Sequence, residues 1–438
     1  MSQSREFEFR VPALSRVEGE GGLYLRIRNR QVEEVRLDIY EPPRLFEALL
    51  RGRKLEEVPD IVARICGICP VAYQMSSVHA LEAALGLTIT PQIRQLRRLL
   101  YCGEWIESHG LHVYLLNAPD FLGCDSGLHV AERHPAIVER GLRLKKHGNE
   151  LLEALGGRAI HPINVAVGGF HRLPRREELS RLIPDFEWGL EAAVETTRWV
   201  AGLDFPEFER PCEFVSLAPE NEYPLNEGVI GTSTGERIPV AEFENCFAER
   251  QVPHSTALQA VRTATGEPYF LGPLARVNLN YDRLCPRARQ VAEELRLAWP
   301  MRNPFRSIIA RGLELIHLYD EALSILRGYE PQGPAHVPYD QRAATGVAAT
   351  EAPRGLLYHR YEIAADGKVT LARIVPPTSQ NQAQIERDLR DFVPSVLDDA
   401  ETLATRSCEN LVRSYDPCIS CSTHFLRIAW DRGRDSVS

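Results

Sequence analysis

The sequence predicts a mainly α (α+β) fold, with a central bundle of long helices and small antiparallel β-sheets at its periphery. Three observations lead there. Long stretches with helical apolar spacing cover residues 91–116, 131–156, 176–204 and 304–328. Alternating, strand-like patterns occur as short paired segments on either side of turn residues. Two Cys-x-x-Cys pairs, Cys66–Cys69 and Cys418–Cys421, stand near opposite ends of the 438-residue chain. A site that draws on both pairs closes only when the whole chain has folded. The expected organisation is therefore one large unit over residues 1–424, with the N- and C-terminal segments meeting inside it.

Residues 7–40 read as strands. Residues 23–28 and 35–40 alternate apolar with polar about a turn at Asn29-Arg30-Gln31. Before them, Arg16-Val17-Glu18-Gly19-Glu20-Gly21-Gly22 places three glycines in four positions, which permits a tight turn. Glu18 is a surface carboxylate by default; beside a buried metal it relays protons instead. Pro42-Pro43 open a helix that runs to Leu50. Pro70 follows the first Cys pair, and residues 71–86 read as a helix stopped by Gly86. The pair thus sits on a turn at a helix N-terminus, where amide dipoles favour thiolates. The helix after Pro91 carries Leu96, Leu99, Leu100, Ile106 and Leu111, with His109 and His112 in packing or outer positions.

A further helix covers 131–156. His161-Pro162 to Gly168-Gly169 reads as a buried strand and turn, and 176–204 as a helix with Trp188 and Trp199 in the core. Residues 205–290 read as an irregular, β-rich insertion. Helical signals return at 286–297 and 304–328, and a Gly/Pro-rich linker spans 329–341. A hairpin joins 356–363 to 368–374 about Asp366-Gly367, and 375–381 forms an extended turn. Helices at 382–391 and 395–415 deliver the chain to Cys418.

Composition narrows the function classes. Apolar residues make up 44% and charged residues 25%, as in soluble globular proteins. A net charge of −9 argues against general nucleic-acid binding. No stretch approaches the ~20 apolar residues of a spanning helix. The first residues lack the apolar core of a signal peptide, so cytoplasm is expected, although a subunit can be exported on a partner's signal. Ten cysteines are too sparse for a disulfide scaffold of this size.

Two Cys-x-x-Cys pairs offer four thiolates, which favour zinc, iron and nickel over magnesium or calcium. A structural zinc site has its half-sites within about 15–20 residues of each other; here they lie about 350 apart.

The motifs Arg64-Ile65-Cys66-Gly67-Ile68-Cys69 and Asp416-Pro417-Cys418-Ile419-Ser420-Cys421-Ser422-Thr423-His424 resemble those of the large subunit of nickel–iron hydrogenases. The resemblance runs from end to end. In matching order stand Arg16-Val17-Glu18-Gly19, His109 and His112 with Asp120, His161-Pro162 with Gly168-Gly169, and Glu351-Ala352-Pro353-Arg354-Gly355.

The resemblance implies a nickel held by Cys66, Cys69, Cys418 and Cys421, with Cys69 and Cys421 bridging to an iron that carries cyanide and carbon monoxide. It implies reversible cleavage of dihydrogen, with Cys418 as first base and Glu18 carrying the proton away. Arg354 matches an arginine above the open metal position, and Asp120 and Asp416 match the carboxylates that hold it. Glu47 and His424 match ligands of a magnesium ion. Pro376 and Thr378 fall where the family surrounds the iron ligands. Three positions depart from many members: Tyr73 and Glu20 stand where those have His, and Pro377 where they have Ser or Thr. Pro377 has no side-chain donor, which leaves Thr378 or backbone amides to take that role.

These departures resemble the soluble cytoplasmic branch coupled to NAD(P). Residues 425–438 match an extension removed by a dedicated endopeptidase once nickel chaperones have loaded the site. The chain carries no iron–sulfur Cys cluster and no dinucleotide fingerprint, so the resemblance implies an iron–sulfur small subunit and diaphorase subunits that bind NAD(P). Three other readings stand beside it: a hydrogen-sensing regulatory subunit with the same site, a zinc-stapled structural protein, and a subunit like the quinone-site subunit of respiratory complex I. The span between the pairs and Arg354 argue against the zinc staple, and the four thiols argue against the complex I-like subunit.

Overall fold

The computed structural model describes residues 6–42 and 44–423. Strands β1 (Glu6–Val11), β2 (Gly21–Arg28) and β3 (Gln31–Ile39) form an antiparallel meander with β2 in the middle. Asn29 and Arg30 both take left-handed φ, 50° and 66°. That is the turn whose twist matches the flanking strands. Leu23, Leu25, Ile27, Leu37 and Ile39 are buried at alternate positions, as the sequence pattern requires.

Helices α1 (Pro70–Leu85), α2 (Pro91–Leu111), α3 (Pro135–Gly156), α4 (Ile183–Ala201), α5 (Pro273–Asn280) and α6 (Ser307–Gly328) follow in the chain. Of these, α2, α3, α4 and α6 pack on one another as the expected central bundle. Thr90 caps α2 by accepting the Ile93 amide at 3.2 Å, and Pro91 occupies the first helical position, where its missing N–H costs nothing. The C-terminal end of α2 widens into a π-helical segment, His112–Asn117. Along the α2–α3 contact, Gly148 lies against the Gly103 carbonyl and the Glu107 amide so closely that no side chain fits there.

A second antiparallel meander, β4 (Ala344–Ala352), β5 (Gly355–Ile363) and β6 (Val369–Val375), lies against α1. Gly346 sets that contact: a Cβ there would collide with the Ala80 carbonyl and the Ala84 amide. Gly346→Ala is therefore expected to destabilise the protein by about 1–3 kcal/mol through overpacking. An unchanged unfolding midpoint in the substituted protein would refute this. Helices α7 (Pro377–Phe392) and α8 (Glu401–Ser414) complete the chain before the second Cys pair. One contiguous buried core runs from Val11 to Cys421 and includes both pairs. No helix among the described residues is long and apolar enough to cross a membrane.

Several expectations need correction. Residues 375–381 are not an extended turn: Pro377 opens α7, because a proline's fixed φ suits a first helical turn as well as a bend. Strand β4 escapes a pattern search because its small residues, Ala, Thr and Gly, do not alternate. The helix after Pro42 begins only at Phe46. The stretch 131–156 is two helices broken before Pro135. The last helix starts at Glu401, not at 395. Helix α5 lies inside the insertion expected to be β-rich. Trp188 and Trp199 are half-buried at the rim of the core.

Candidate metal centre

The first Cys pair sits where the sequence pattern puts it. A single tight turn, Ala63–Ile65, leads into an extended Cys66, and Cys69 is the residue that caps α1. Cys66 Sγ accepts the amides of Ile68 (3.3 Å) and Cys69 (3.2 Å). The next amides, Val71 and Ala72, donate to the buried Glu104 of α2 at 2.5 and 3.1 Å. Burial pushes the Glu104 carboxyl well above its usual range despite these two amides, and the pair of hydrogen bonds anchors the turn carrying Cys69.

The second pair is reached through a strained residue. Asp416 takes φ 55° directly before Pro417. The Cys418 amide donates to Thr378 Oγ1 at 3.0 Å, and the Ile419 amide donates to the Glu18 carbonyl at 2.9 Å. The C-terminal segment thus runs as a short parallel bridge beside Glu18. Arg44 ties both loops together: one guanidinium nitrogen donates to the carbonyls of Ile65 (2.6 Å) and Ser420.

These supports gather the four sulfurs. Cys66 and Cys418 Sγ are 3.6 Å apart, Cys69 and Cys421 Sγ 3.7 Å, and Cys418 and Cys421 Sγ 2.7 Å. Four thiolates around one ion at about 2.3 Å stand about 3.7 Å apart. All four atoms lie within 4.8 Å of one another, and all four residues are buried. Among the described residues, this is the group of His, Cys, Asp and Glu able to hold a metal. Burial disfavours a thiolate at Cys66, but its hydrogen bonds to Cys418, Cys421 and Cys69 outweigh that and hold its pKa well below the usual value. Burial pushes the Cys418 thiol well up. Four buried thiols this close cannot all ionise unaided, so the cage needs a cation to hold them as thiolates.

A carboxylate and a fixed cation stand beside the cage. Cys418 Sγ lies 3.0 Å from Glu18 Oε2, which also accepts the Ser420 amide at 3.1 Å. Arg354 is fully buried, with Nη2 donating to Asp416 Oδ1 (2.9 Å) and Nε to the Asp416 carbonyl (2.7 Å). Its Nη1 has no protein partner. Burial works against the guanidinium, yet the Asp416 carboxylate and the thiolates raise its pKa well above the usual value. Asp416 also receives the buried Arg311 at 3.4 Å.

Comparison with known proteins decides what this cage belongs to. Residues 44–140 and 264–424, more than half of the chain, match the family described as nickel-dependent hydrogenase. The chain belongs to this family. Sulfhydrogenase 1 subunit alpha of Pyrococcus furiosus is 34% identical over 423 residues, which cover 95% of this chain and 98% of the relative. The beta subunit of the NAD-reducing hydrogenase HoxS of Cupriavidus necator is 26% identical over 462 residues, covering 95% and 94%. A crystal structure of an NAD+-reducing [NiFe]-hydrogenase in its H2-reduced state superposes with a TM-score of 0.88 at 27% identity, over 96% of this chain and 99% of that one. The protein is a hydrogenase large subunit, an oxidoreductase, and its cage of four soft thiols fits the family's nickel. That membership sets the zinc-staple reading aside.

Not every residue expected at the hydrogenase centre lies where expected. Asp120 does not hold Arg354: its carboxylate binds Arg413 Nε and Nη2, each at 2.8 Å, and Arg16. It ties α8 to the segment before Glu18 instead. Glu47 Oε1 accepts the Ile374 amide at 2.7 Å. Pro376 caps α7, and Thr378 is buried in that helix's first turn against Cys418. His424 and the extension 425–438 lie outside the described residues. His109 and His112 are buried structural histidines, bound to Glu314 Oε2 (2.7 Å) and the Arg413 carbonyl (2.8 Å). Glu104, Arg44 and Arg311 were missed. Nothing local marks them, because each works on residues distant in sequence.

Proposed function

We propose that this large subunit cleaves dihydrogen reversibly and passes the electrons to an iron–sulfur small subunit and onward to NAD(P). The observation that carries the proton half is the 3.0 Å contact between Cys418 Sγ and Glu18 Oε2 at a buried thiol cage. When bound, the nickel–iron pair supplies an electrophilic site for dihydrogen and takes up its electrons. Cys66, Cys69, Cys418 and Cys421 would hold the nickel, and Cys69 and Cys421 would also be ligands of the iron, which would carry cyanide and carbon monoxide. Cys418 Sγ takes the proton first, and Glu18 Oε2 receives it and carries it out of a water-excluded site. Arg354, whose Nη1 has no protein partner, supplies the fixed cation beside the cage. On the same reading Glu47 and His424 would hold magnesium, Pro376 and Thr378 would stand beside the iron, and residues 425–438 would be removed by an endopeptidase after nickel chaperones have acted. The NAD-reducing relatives support NAD(P) as the acceptor, reached through diaphorase subunits in a cytoplasmic complex on this reading.

Glu18→Gln keeps the shape of the side chain and its acceptor for the Ser420 amide but removes the proton-accepting carboxylate. It is expected to leave nickel and iron content unchanged and to slow hydrogen–deuterium exchange by about 10²–10⁴-fold. An unchanged exchange rate would remove Glu18 from the relay. The acceptor is tested separately, by hydrogen-driven reduction of NAD+ and NADP+ with the purified complex. Reduction of an artificial dye with neither nucleotide reduced would overturn the proposed acceptor and leave the chemistry standing.

A further inference from the structure

Arg354 stands at the tip of a two-residue hairpin. Ala352 pairs with Gly355, so Pro353 and Arg354 alone turn the chain from β4 into β5. The favoured two-residue turns need a positive φ at the first of those positions. Pro353 cannot supply one, because its ring fixes φ near −65°. The tip therefore needs support from outside the hairpin.

That support is Arg276 on α5, which is fully buried. Its Nη1 donates to the Ala352 carbonyl (2.9 Å) and its Nη2 to the Pro353 carbonyl (2.9 Å). The remaining donors go to carboxylates: Nε to Glu314 Oε1 (2.7 Å), Nη2 to Glu314 Oε2 (2.9 Å) and Nη1 to Glu351 Oε2 (3.0 Å). The guanidinium lies 4.0 Å from the centre of the Trp105 ring. Every N–H of the side chain is thus used, which a planar fork permits and a point-like ammonium does not. Glu314 is held in turn by Tyr223 (2.7 Å) and His109 (2.7 Å), and Glu351 Oε1 by the Leu217 amide (2.7 Å). The start of α5 closes the same grip, since a Cβ on Gly272 would sit 3.0 Å from the Arg354 carbonyl.

We infer that Arg276 is a positioning residue for Arg354: it clamps the two turn carbonyls and so fixes where the Arg354 guanidinium stands over the thiol cage. This rests on the proposed part played by Arg354 in turnover. Arg276→Lys keeps the buried positive charge but cannot grip Glu314 and both carbonyls together.

The test uses the complete complex, with nickel content and hydrogen oxidation measured for the wild type, Arg276→Lys, Arg354→Lys and the double variant. Nickel is expected to stay at the wild-type level in Arg276→Lys, and turnover to fall about tenfold or more, as for a misplaced catalytic group. In the Arg354→Lys background the same substitution is expected to have no further effect. Turnover within twofold of the wild type, or an equal loss in both backgrounds, would overturn the clamp. If Arg276→Lys fails to load nickel, Glu351→Gln decides. Burial already pushes Glu351 up to about 7, so a neutral residue suits its surroundings. Glu351→Gln is expected to keep nickel and to lower turnover only where Arg354 is present. A loss that ignores Arg354, or no loss at all, overturns the proposal. A wild-type complex loaded with nickel yet inert toward hydrogen would sink the functional reading itself.

Discussion

Replacing Cys421 with serine is expected to leave the assembled protein without nickel and without hydrogen turnover. Cys421 Sγ is a corner of the cage, 2.7 Å from Cys418 and 3.7 Å from Cys69. A serine hydroxyl is a hard, weakly acidic donor, which a soft site does not accept in place of a thiolate. Loss of an outer partner of a metal ligand costs about 10–100-fold in affinity or activity, and loss of a ligand itself costs more. The backbone around residue 421 is held independently of the sulfur, by Thr378 at the Cys418 amide and by Glu18 and Arg44 at residues 419 and 420. The chain should therefore still fold, and the loss should appear as metal content. Nickel and iron are counted in the purified complex, with zinc measured beside them. A full complement of nickel with normal turnover would refute the ligand role of Cys421.

What the sequence made legible is what local patterns encode. Strong apolar periodicity marked α2 and α6, and the turn at Asn29-Arg30 followed from its residue types. The Cys pairs announced a soft metal, and Pro70 with Gly86 framed the helix that carries Cys69. The illegible part is long-range. Arg44, Glu104, Arg276 and Arg311 carry no local mark in the sequence, and charged residues are exposed by default. Their importance lies in partners elsewhere in the chain, such as the Ile65 and Ser420 carbonyls for Arg44. Asp120 shows the limit of a motif match: its position agrees with the family pattern, but Arg413 and Arg16 take its carboxylate. Pro377 shows a different limit, since proline serves equally as a turn residue and as the first residue of a helix.

Arg354→Lys is expected to fold, to load nickel and to lose most of its hydrogen turnover. The arginine divides its donors. Nε and Nη2 hold Asp416, and Nη1 is left without a protein partner, fully buried beside the thiols. A buried donor without a partner costs about 1–3 kcal/mol, so the fold keeps it only because something else holds it there. Asp416 in its left-handed conformation turns both its carbonyl and its carboxylate toward Arg354. The hairpin tip is gripped from behind through the carbonyls of Ala352 and Pro353. Lysine keeps the charge, so Asp416 is not left unpaired and the structure survives. Its ammonium is a single point, however, and cannot bind Asp416 in two places while also presenting a donor to the cage. Removing one preorganised donor from a dry site costs about 10²–10³-fold in turnover. Hydrogen oxidation is therefore expected to fall by that order at unchanged nickel content. Near-wild-type turnover would make Arg354 a structural partner of Asp416 and place the fixed cation of the site elsewhere, with the buried Arg311 on the other side of the same carboxylate as the next residue to substitute.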